Sequence, residues 1–549
     1  MAMKGCILIG LLVLVSSFAN TINAEAITTS YGISTLNRTS FPEGFTFGAG
    51  SSDYQYEGAT PLEDGKGESM WDYYVHKYPE KILDGSNGDV ADDQYNRFKE
   101  DFVLLKDMNA DAYRFSIAWT RLIPTGKISD GVNQKGIDHY NEVINDLLAK
   151  GLTPYVTLFH WHVPMALDDE YGGFLSQSIV EDFKDFAELC FKEFGDRVKH
   201  WTTLNEPHMF TNGGYAAGVL APFRCSSWQN LNCTGGDSAT EPYTVTHNLL
   251  LAHSATANLY KTKYQAEQKG VIGITLDCDW VVPYSQSEKD RAAALRDVDF
   301  RFGWYMEPLT KGRYPLSMRT LVGEKRLPRF SVNESELLIG SYDFIGLNYY
   351  TTNYVADKPE DNSLNKSYLT DPRVEKTGSR DGVLIGPQAG SSWLYVYPEG
   401  IYGLLVYTKT KYGDPEIYIT ENGNFLNLFQ LLLHKVDGEF LYVPFNYLIK
   451  LNCNLLLGTD EVNNASIPLE EALMDTPRIE YHYKHLVQVH KAIGEGVKVR
   501  GYFAWTFLDD FEWFSGYTIR FGIHFIDYEN GLKRYPKLSA FWFKNFLKK

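Results

Sequence analysis

The chain has 549 residues, 44% of them hydrophobic, which is enough for one large α/β barrel or for two or three smaller domains. Its formal net charge of −17 argues against nucleic acid or an anionic membrane surface as a partner. A neutral or a cationic ligand remains open.

The N-terminus has the pattern of a secretory signal peptide. Lys4 precedes an apolar run over residues 6–15, and a small-residue cleavage site ends at Ala24. The run is too short to span a membrane. We therefore expect residues 1–24 to be removed and residues 25–549 to enter the secretory pathway, bound for the extracellular space, the cell wall or the vacuole. The alternative is a buried first helix.

Two further features suit an oxidising compartment. Cys225 and Cys233 flank a short loop rich in Ser and Asn, a spacing that closes easily into a disulfide. No Cys-x-x-Cys or clustered Cys/His pattern indicates a metal site. Asn-X-Ser/Thr triplets also arise by chance, but they are candidate N-glycosylation sites. They begin at Asn37, Asn232, Asn333, Asn365 and Asn464.

Beyond the signal peptide, short β-type runs alternate with amphipathic helical segments, with no repeat or linker between them. The predicted strands are Gly44–Gly48, Ala112–Ser116, Thr153–Leu158, Val198–Leu204, Val271–Leu276, Phe344–Leu347, Ile417–Thr420 and Val499–Ala504. The periodic helical segments include Gln134–Lys150, Gln177–Phe194 and Thr246–Lys269. Eight such alternations predict an α/β fold, a single (β/α)8 TIM barrel with long βα loops.

Chemically active side chains follow most of these strands. They are Arg114, His160, Trp161, Asn205, Glu206, Asn348, Tyr349, Tyr350, Glu421, Asn422 and Trp505. A single residue of this kind is more often a buried core residue whose polar atoms are hydrogen-bonded within the fold. In a barrel, however, these strand ends converge on one face, so the set together predicts an active site there.

Two carboxylates on opposite sides of a barrel, Glu206 and Glu421, suit cleavage of a glycosidic bond. One carboxyl must stay protonated for the leaving oxygen and the other ionised to attack the anomeric carbon. A separation of ~5 Å would give retention through a covalent intermediate. We expect Asn205 to bind a neighbouring hydroxyl, and Arg114 and Tyr350 to hydrogen-bond Glu421. Carboxyl pairs also occur in metal sites and structural ion pairs.

Seven motifs in register make the sequence resemble glycoside hydrolase family 1, in particular its plant β-glucosidases. They are FTFGAGSSDYQYEG (45–58), YRFSIAW (113–119), LFHW (158–161), TLNEP (203–207), LNYY (347–350), ITENG (419–423) and FEW (511–513). The resemblance extends over nearly the whole mature chain, from about Phe41 to Leu547.

The resemblance implies a role for individual residues. Glu206 matches the acid/base and Glu421 the nucleophile, with Arg114 and Tyr350 supporting the nucleophile. Positions that hydrogen-bond glucose hydroxyls are matched by Gln55, His160, Asn205, Glu512 and Trp513, and the indole beneath the sugar by Trp505. Trp393, Phe514 and Phe521 match positions lining the site and its aglycone side. The implied substrate is a small β-glucoside, and no metal or cofactor is implied.

The sequence departs from the family pattern in two places. His162 and Met165 stand where the family usually has Asp and Gln, and we expect modest effects there. Residues 424–458, directly after the nucleophile motif, are crowded with Leu, Phe and Tyr. Without them Gly423 joins Thr459 and the polar continuation typical of the family returns. Our hypothesis is a translated intron or mis-annotated exon; the alternative is a real loop covering the aglycone site.

These observations leave several functions open. The first is a retaining β-glucosidase acting on small, plant-type O-glucosides. The acid/base Glu206 favours O-glucosides over thioglucosides, because thioglucosidases with Gln at that position rely on a leaving group that departs readily. The others are a sugar-binding protein impaired by the insertion, and a transglucosidase or thioglucosidase of the same family. A homo-oligomer is compatible with the sequence.

Overall fold

The computed structural model describes residues 36–58, 64–360, 365–389, 391–423, 435–436, 439–440, 461–464 and 466–549. The predicted signal peptide lies outside the described residues. So does most of the predicted insertion, of which only the short antiparallel strands Lys435–Val436 and Glu439–Phe440 are described.

Eight parallel strands form a closed barrel, as the sequence predicts. They are β1 (Thr46–Gly50), β2 (Ala112–Ser116), β3 (Thr153–Phe159), β4 (His200–Asn205), β5 (Val271–Asp277), β6 (Phe344–Asn348), β7 (Glu416–Asn422) and β8 (Val499–Ala504). Each strand pairs with its neighbours in the chain, and β8 closes the barrel on β1, with Thr46 opposite Gly501. The first strand begins later than predicted because Gly44, at φ +81°, lies in a turn in which the Phe45 N–H donates to the Pro42 carbonyl.

Helices and long loops cover the barrel on the outside. The α-helices are Asp53–Tyr56, Met70–Lys77, Gln94–Asp107, Trp119–Leu122, Gln134–Ala149, Met165–Tyr171, Ile179–Phe194, Pro207–Asn212, Glu241–Leu259, Gln265–Gln268, Glu288–Val298, Trp304–Lys311, Leu316–Leu321, Val332–Leu338, Glu399–Tyr412, Leu469–Ala472, Thr476–Gly494 and Leu538–Phe546. The helix Ile179–Phe194 shows why they pack: Phe183, Phe186, Cys190 and Phe191 recur at helical spacing and are all buried.

Additional short strands stiffen the long loops at the C-terminal face of the barrel. The pairings are Trp280–Pro283 with Thr352–Asp357 and Val374–Thr377, Ser379–Arg380 with Val383–Leu384, Glu461–Val462 with Ile519–Arg520, and His524–Asp527 with Lys533–Pro536. The predicted disulfide between Cys225 and Cys233 is present in the loop after β4. Within the described part of the chain, no helix is both long and apolar enough to cross a membrane.

The candidate glycosylation positions all reach solvent to some degree. Asn232, Asn333, Asn365 and Asn464 are exposed, and Asn37 is half-buried in the capping box of a short 3-10 helix. Their modification stays a prediction.

Candidate active site

Glu206 is placed by an abrupt turn at the end of β4. Its backbone has φ +44°, an unusual conformation for a residue with a side chain, and Pro207 begins a helix immediately afterwards. The Glu206 N–H donates to the Thr275 carbonyl of β5 at 3.0 Å. Because strand and helix meet at this one residue, its carboxyl is held at the C-terminal face of the barrel.

Glu421 is the second-last residue of β7, and both of its carboxyl oxygens accept hydrogen bonds. Arg114 Nη1 donates to Oε1 at 2.7 Å, and the Tyr350 hydroxyl donates to Oε2 at 2.6 Å. Arg114 and Glu421 are both buried. These two donors bind the charged form of the carboxyl, so they favour ionised Glu421 in a fixed orientation.

Glu206 has a different set of neighbours. Its Oε1 accepts from Asn348 Nδ2 at 2.7 Å, and the Asn348 amide is itself oriented by the Thr420 hydroxyl, which donates to its Oδ1 at 2.7 Å. Glu206 makes no ion pair with any residue that the structure describes. A single neutral amide stabilises the carboxylate far less than the guanidinium beside Glu421 does.

The two carboxyls consequently differ in protonation. Burial, the Glu421 carboxylate and the Asp277 carboxylate raise the pKa of Glu206 well above its usual range. Burial also raises the pKa of Glu421, but there the Arg114 guanidinium and the Tyr350 hydroxyl oppose it. A proton shared between the two acids therefore resides on Glu206, whereas the donors to Glu421 favour its carboxylate form.

A polar floor connects the two acids with His160. Asn205 Oδ1 accepts from Arg114 Nη2 and from Asn348 Nδ2, and Asn205 Nδ2 lies 3.0 Å from His160 Nε2. Burial and the Arg114 charge lower the pKa of His160 well below its usual value, so the imidazole is neutral. Its Nδ1 is buried without a hydrogen-bond partner in the described part of the chain, which leaves it available to a ligand hydroxyl.

The predicted sugar-binding residues of the loop after β8 come close to the same floor. Gln55 Nε2 donates to Glu512 Oε2 at 3.3 Å, and burial together with the Glu421 charge raises the pKa of Glu512 to about 8. The His160 ring lies 6.0 Å from Trp505 and 5.9 Å from Trp513, centroid to centroid. Flat apolar rings beside paired acceptors are what a pyranose requires.

The predicted aglycone-side residues separate into two environments. Phe521 is buried and packs with Trp505, and Tyr350 packs against that pair. Trp393 and Phe514 are 44% and 43% exposed, and Trp393 lies 6.3 Å from Tyr350. Both rings are therefore largely exposed, with Trp393 beside Tyr350, rather than buried in the interior of the site.

The departure from the family pattern at His162 has a visible partner. His162 Nδ1 lies 2.9 Å from the Asp53 carboxylate, with both side chains buried. Met165, the other departure, is buried at the start of the helix Met165–Tyr171. Both side chains are buried and belong to the packing of the fold.

A buried anion behind Glu206 is not among the residues predicted from the sequence. Asp277, the last residue of β5, accepts from Arg301 Nε at 2.8 Å, and His208 Nδ1 lies 3.0 Å from the same oxygen, Oδ2. Burial notwithstanding, these two partners lower the pKa of Asp277, so it is an anion facing Glu206. The available signal was its position directly after the predicted strand Val271–Leu276, as with the polar residues of the other strands.

We expect Asp277→Asn to move the alkaline limb of the pH profile of kcat/KM to lower pH by roughly one unit. Removing the Asp277 charge, and leaving Arg301 less compensated, both lower the pKa of Glu206. Asp279→Asn is the matched control, because Asp279 also pairs with Arg301 but is not among the charges that raise the pKa of Glu206. Equal shifts in the two variants would contradict the prediction.

Two buried carboxyls of different proton affinity at the C-terminal face of a barrel are the arrangement that a barrel glycosidase requires. The comparison with known families agrees, since the glycosyl hydrolase family 1 model matches residues 37–428 and 454–549. The chain belongs to glycosyl hydrolase family 1 and is a glycosidase. Between its two matched ranges the family model leaves 25 residues unmatched, 429–453, and these fall inside the predicted insertion.

Plant enzymes are among the most similar relatives. Beta-glucosidase 12 of Oryza sativa subsp. indica is 53% identical over 548 residues, covering 100% of this chain and 99% of that protein. Isoflavonoid 7-O-beta-apiosyl-glucoside beta-glycosidase of Dalbergia nigrescens is 49% identical, with 100% and 92% covered. A rice Os3BGlu6 beta-glucosidase crystal structure is 47% identical at a TM-score of 0.86, with 94% of this chain and 100% of that chain covered.

Proposed function

We propose that the chain is a retaining β-glucosidase that releases terminal, non-reducing β-D-glucose from small O-glucosides, plant secondary metabolites being the expected class. The observation that carries the proposal is the pair of contacts from Arg114 and Tyr350 to Glu421, opposite a Glu206 that makes no ion pair with the described residues. On physical grounds it supports Glu421 as the nucleophile and Glu206 as the acid/base.

The reaction follows from these protonation states. Glu421 attacks the anomeric carbon while Glu206 gives its proton to the glycosidic oxygen, so the aglycone leaves as an alcohol and glucose is esterified to Glu421. Glu206, now a carboxylate, takes a proton from water, and the oxygen of that water displaces Glu421. Two displacements at one carbon restore the β configuration.

A relative supports the covalent step. A mutant of the rice Os3BGlu6 enzyme, 47% identical with a TM-score of 0.85, is described "in a covalent complex with Glc". We infer that glucose occupies the corresponding place here, above the floor of Asn205 and His160 and beside Trp505. The exposed rings of Trp393 and Phe514 then suit a flat, apolar aglycone.

The test is hydrolysis of a p-nitrophenyl glycoside series followed by proton NMR of the first sugar released. We expect activity on the β-glucoside, none on the α-glucoside, and β-glucose as the first product. Release of α-glucose would contradict retention. Binding of glucose without turnover would favour the sugar-binding alternative, and glucoside formation exceeding hydrolysis in added alcohol would favour the transglucosidase.

We also propose that residues 424–458 are not needed for this function. The anchors of the nucleophile lie elsewhere: Asn422 Nδ2 donates to the Tyr349 carbonyl at 2.7 Å, and the Tyr502 hydroxyl donates to Asn422 Oδ1 at 2.7 Å. Beyond the segment, the short strand Glu461–Val462 pairs with Ile519–Arg520. Removing the segment leaves these contacts in place.

A protein in which Gly423 is joined to Thr459 is expected to hydrolyse p-nitrophenyl β-glucoside with a specific activity at least equal to that of the full chain, because the described contacts that hold Glu421 come from Arg114 and Tyr350. Glu421→Ala in each form serves as the blank. An inactive deletion beside an active full chain would instead identify the segment as a working loop. Transcript reads running from Gly423 to Thr459 without the segment would support the intron hypothesis independently.

Passage through the secretory pathway is part of the same proposal. A disulfide between Cys225 and Cys233 suits an oxidising compartment, and four of the five candidate glycosylation asparagines are exposed. Peptide mapping of secreted protein would identify the mature N-terminus expected at residue 25 and the glycans expected on these asparagines.

A further inference from the structure

A second buried acid lies beside Glu512, the predicted sugar-binding carboxyl. Asp510 is fully buried in the loop after β8. Gln55 Nε2 lies 3.2 Å from Asp510 Oδ2, 3.3 Å from Glu512 Oε2 and 3.1 Å from the Phe511 carbonyl oxygen, so its two N–H groups are shared among three acceptors, two of which are the acids. The two acids therefore lie side by side.

The nearby cations Arg520 and Lys537 form ion pairs with Asp509, not with Asp510. Asp509 accepts from Arg520 Nη1 at 2.6 Å and from Lys537 Nζ at 2.9 Å. Asp510, the next residue, makes no ion pair with any residue that the structure describes. Its Oδ2 accepts from the neutral Gln55 amide, and its Oδ1 receives no N–H or O–H from the described residues.

The four charged groups with the largest effect on the pKa of Asp510 are all acids. They are Glu512, Asp92, Asp509 and Glu421, and Asp92 is buried without a hydrogen bond to either of its own carboxyl oxygens in the described part of the chain. Burial and then Glu512 raise the pKa of Asp510 well above its usual range. Two adjacent ionised carboxylates in a dry site repel each other strongly, and one shared proton removes that repulsion.

We propose that Asp510 is a positioning residue that stays protonated near neutral pH and donates its proton to Glu512, so that the two acids together carry no more than one negative charge. Gln55 completes the pair: its Oε1 accepts from the Ser52 hydroxyl at 2.7 Å, which turns its Nε2 towards the acids. The Glu512 oxygen outside the pair is then aimed at the sugar. This last consequence rests on the proposed β-glucosidase function.

The proposal predicts that the affinity for glucose depends on pH. The pair loses its shared proton as a unit when the pH rises above its apparent pKa. Two negative charges then face each other across the Gln55 amide, Glu512 moves from its place, and glucose binds less tightly. With asparagine at position 510, a permanent N–H donates to Glu512 and no proton is lost.

The first experiment needs no ligand. Thermal unfolding midpoints of the parent and of Asp510→Asn are compared from about pH 6 to about pH 9.5. The pKa of Asp510 is higher in the folded protein than in the unfolded chain, so the folded parent holds a proton that the unfolded chain has released. The free energy of unfolding of the parent therefore falls as the pH rises towards the folded pKa. We expect the variant's advantage in midpoint to widen with pH. Parallel curves would overturn the proposal.

Glu512→Gln provides a second variant if Asp510→Asn does not accumulate as folded protein. It removes the charge that most strongly holds the proton on Asp510 after burial itself. We expect its midpoint to depend less steeply on pH than that of the parent. An unchanged slope would count against the shared proton.

The second experiment measures glucose binding by calorimetry in a Glu206→Gln background, which removes the titration of the acid/base. We expect affinity to fall about tenfold for each pH unit beyond the apparent pKa of the pair, and to stay level when Asp510→Asn is added. The same pH dependence in both proteins overturns the positioning role. Absence of glucose binding at every pH contradicts the proposed function instead, and the stability series still decides the proton on Asp510.

Discussion

Replacing Glu421 with alanine is expected to lower kcat for p-nitrophenyl β-glucoside by a factor on the order of 10⁵, the scale seen when a covalent nucleophile is removed. Arg114 and Tyr350 hold the Glu421 carboxylate at 2.7 Å and 2.6 Å, and no other described carboxylate is bound by both of them. Without Glu421 the two-step route is closed, because no group remains to form the ester.

The matched control lies on the same strand. Glu416 begins β7 at the opposite end of the barrel, where it is partly exposed and pairs with Arg500. We expect Glu416→Gln to retain activity within about twofold, since an exposed ion pair contributes little to stability. Trapping the parent with 2-deoxy-2-fluoro-β-glucosyl fluoride, which releases fluoride and leaves the sugar on the enzyme, should label the peptide containing Glu421. A label on another residue would contradict the assignment.

Glu206→Gln is expected to show an effect that depends on the leaving group. Hydrolysis of an alkyl β-glucoside should fall by a factor on the order of 10² to 10⁴, the usual contribution of a general acid. Formation of the covalent intermediate from 2,4-dinitrophenyl β-glucoside should fall much less, because that leaving group needs no proton.

The pH profile is the second readout for Glu206. In the parent, activity on the alkyl glucoside is lost as the pH rises through the raised pKa of Glu206, because the acid must carry its proton. Glutamine has no such proton to lose, so the alkaline limb should disappear. Equal losses for both leaving groups, with the limb intact, would assign the proton donor to another residue.

The sequence alone sufficed for the barrel. Alternation of apolar strands and amphipathic helices is a local pattern, and all eight predicted strands are present with ends displaced by at most two residues, as at His200–Asn205 against the predicted Val198–Leu204. The ends are less certain because turn conformations such as that of Gly44 depend on single backbone angles. The two glutamates could also be predicted as site residues from the sequence. Each is a polar residue at the end of a strand, and parallel strands of a barrel bring these ends to one face.

Proton placement and charge compensation were decided only by the tertiary structure. Arg114 and Glu421 are 307 residues apart, and Asp510 lies 455 residues from the Gln55 amide that joins it to Glu512. No sequence pattern shows that Asp277 faces Glu206 or that Asp509 takes the cations which Asp510 lacks. A carboxyl keeps or loses its proton according to burial and to the charges within a few ångströms, and closure of the barrel sets both. The sequence by itself therefore determined which residue types reach the site, whereas through-space electrostatics decided which of the acids is neutral.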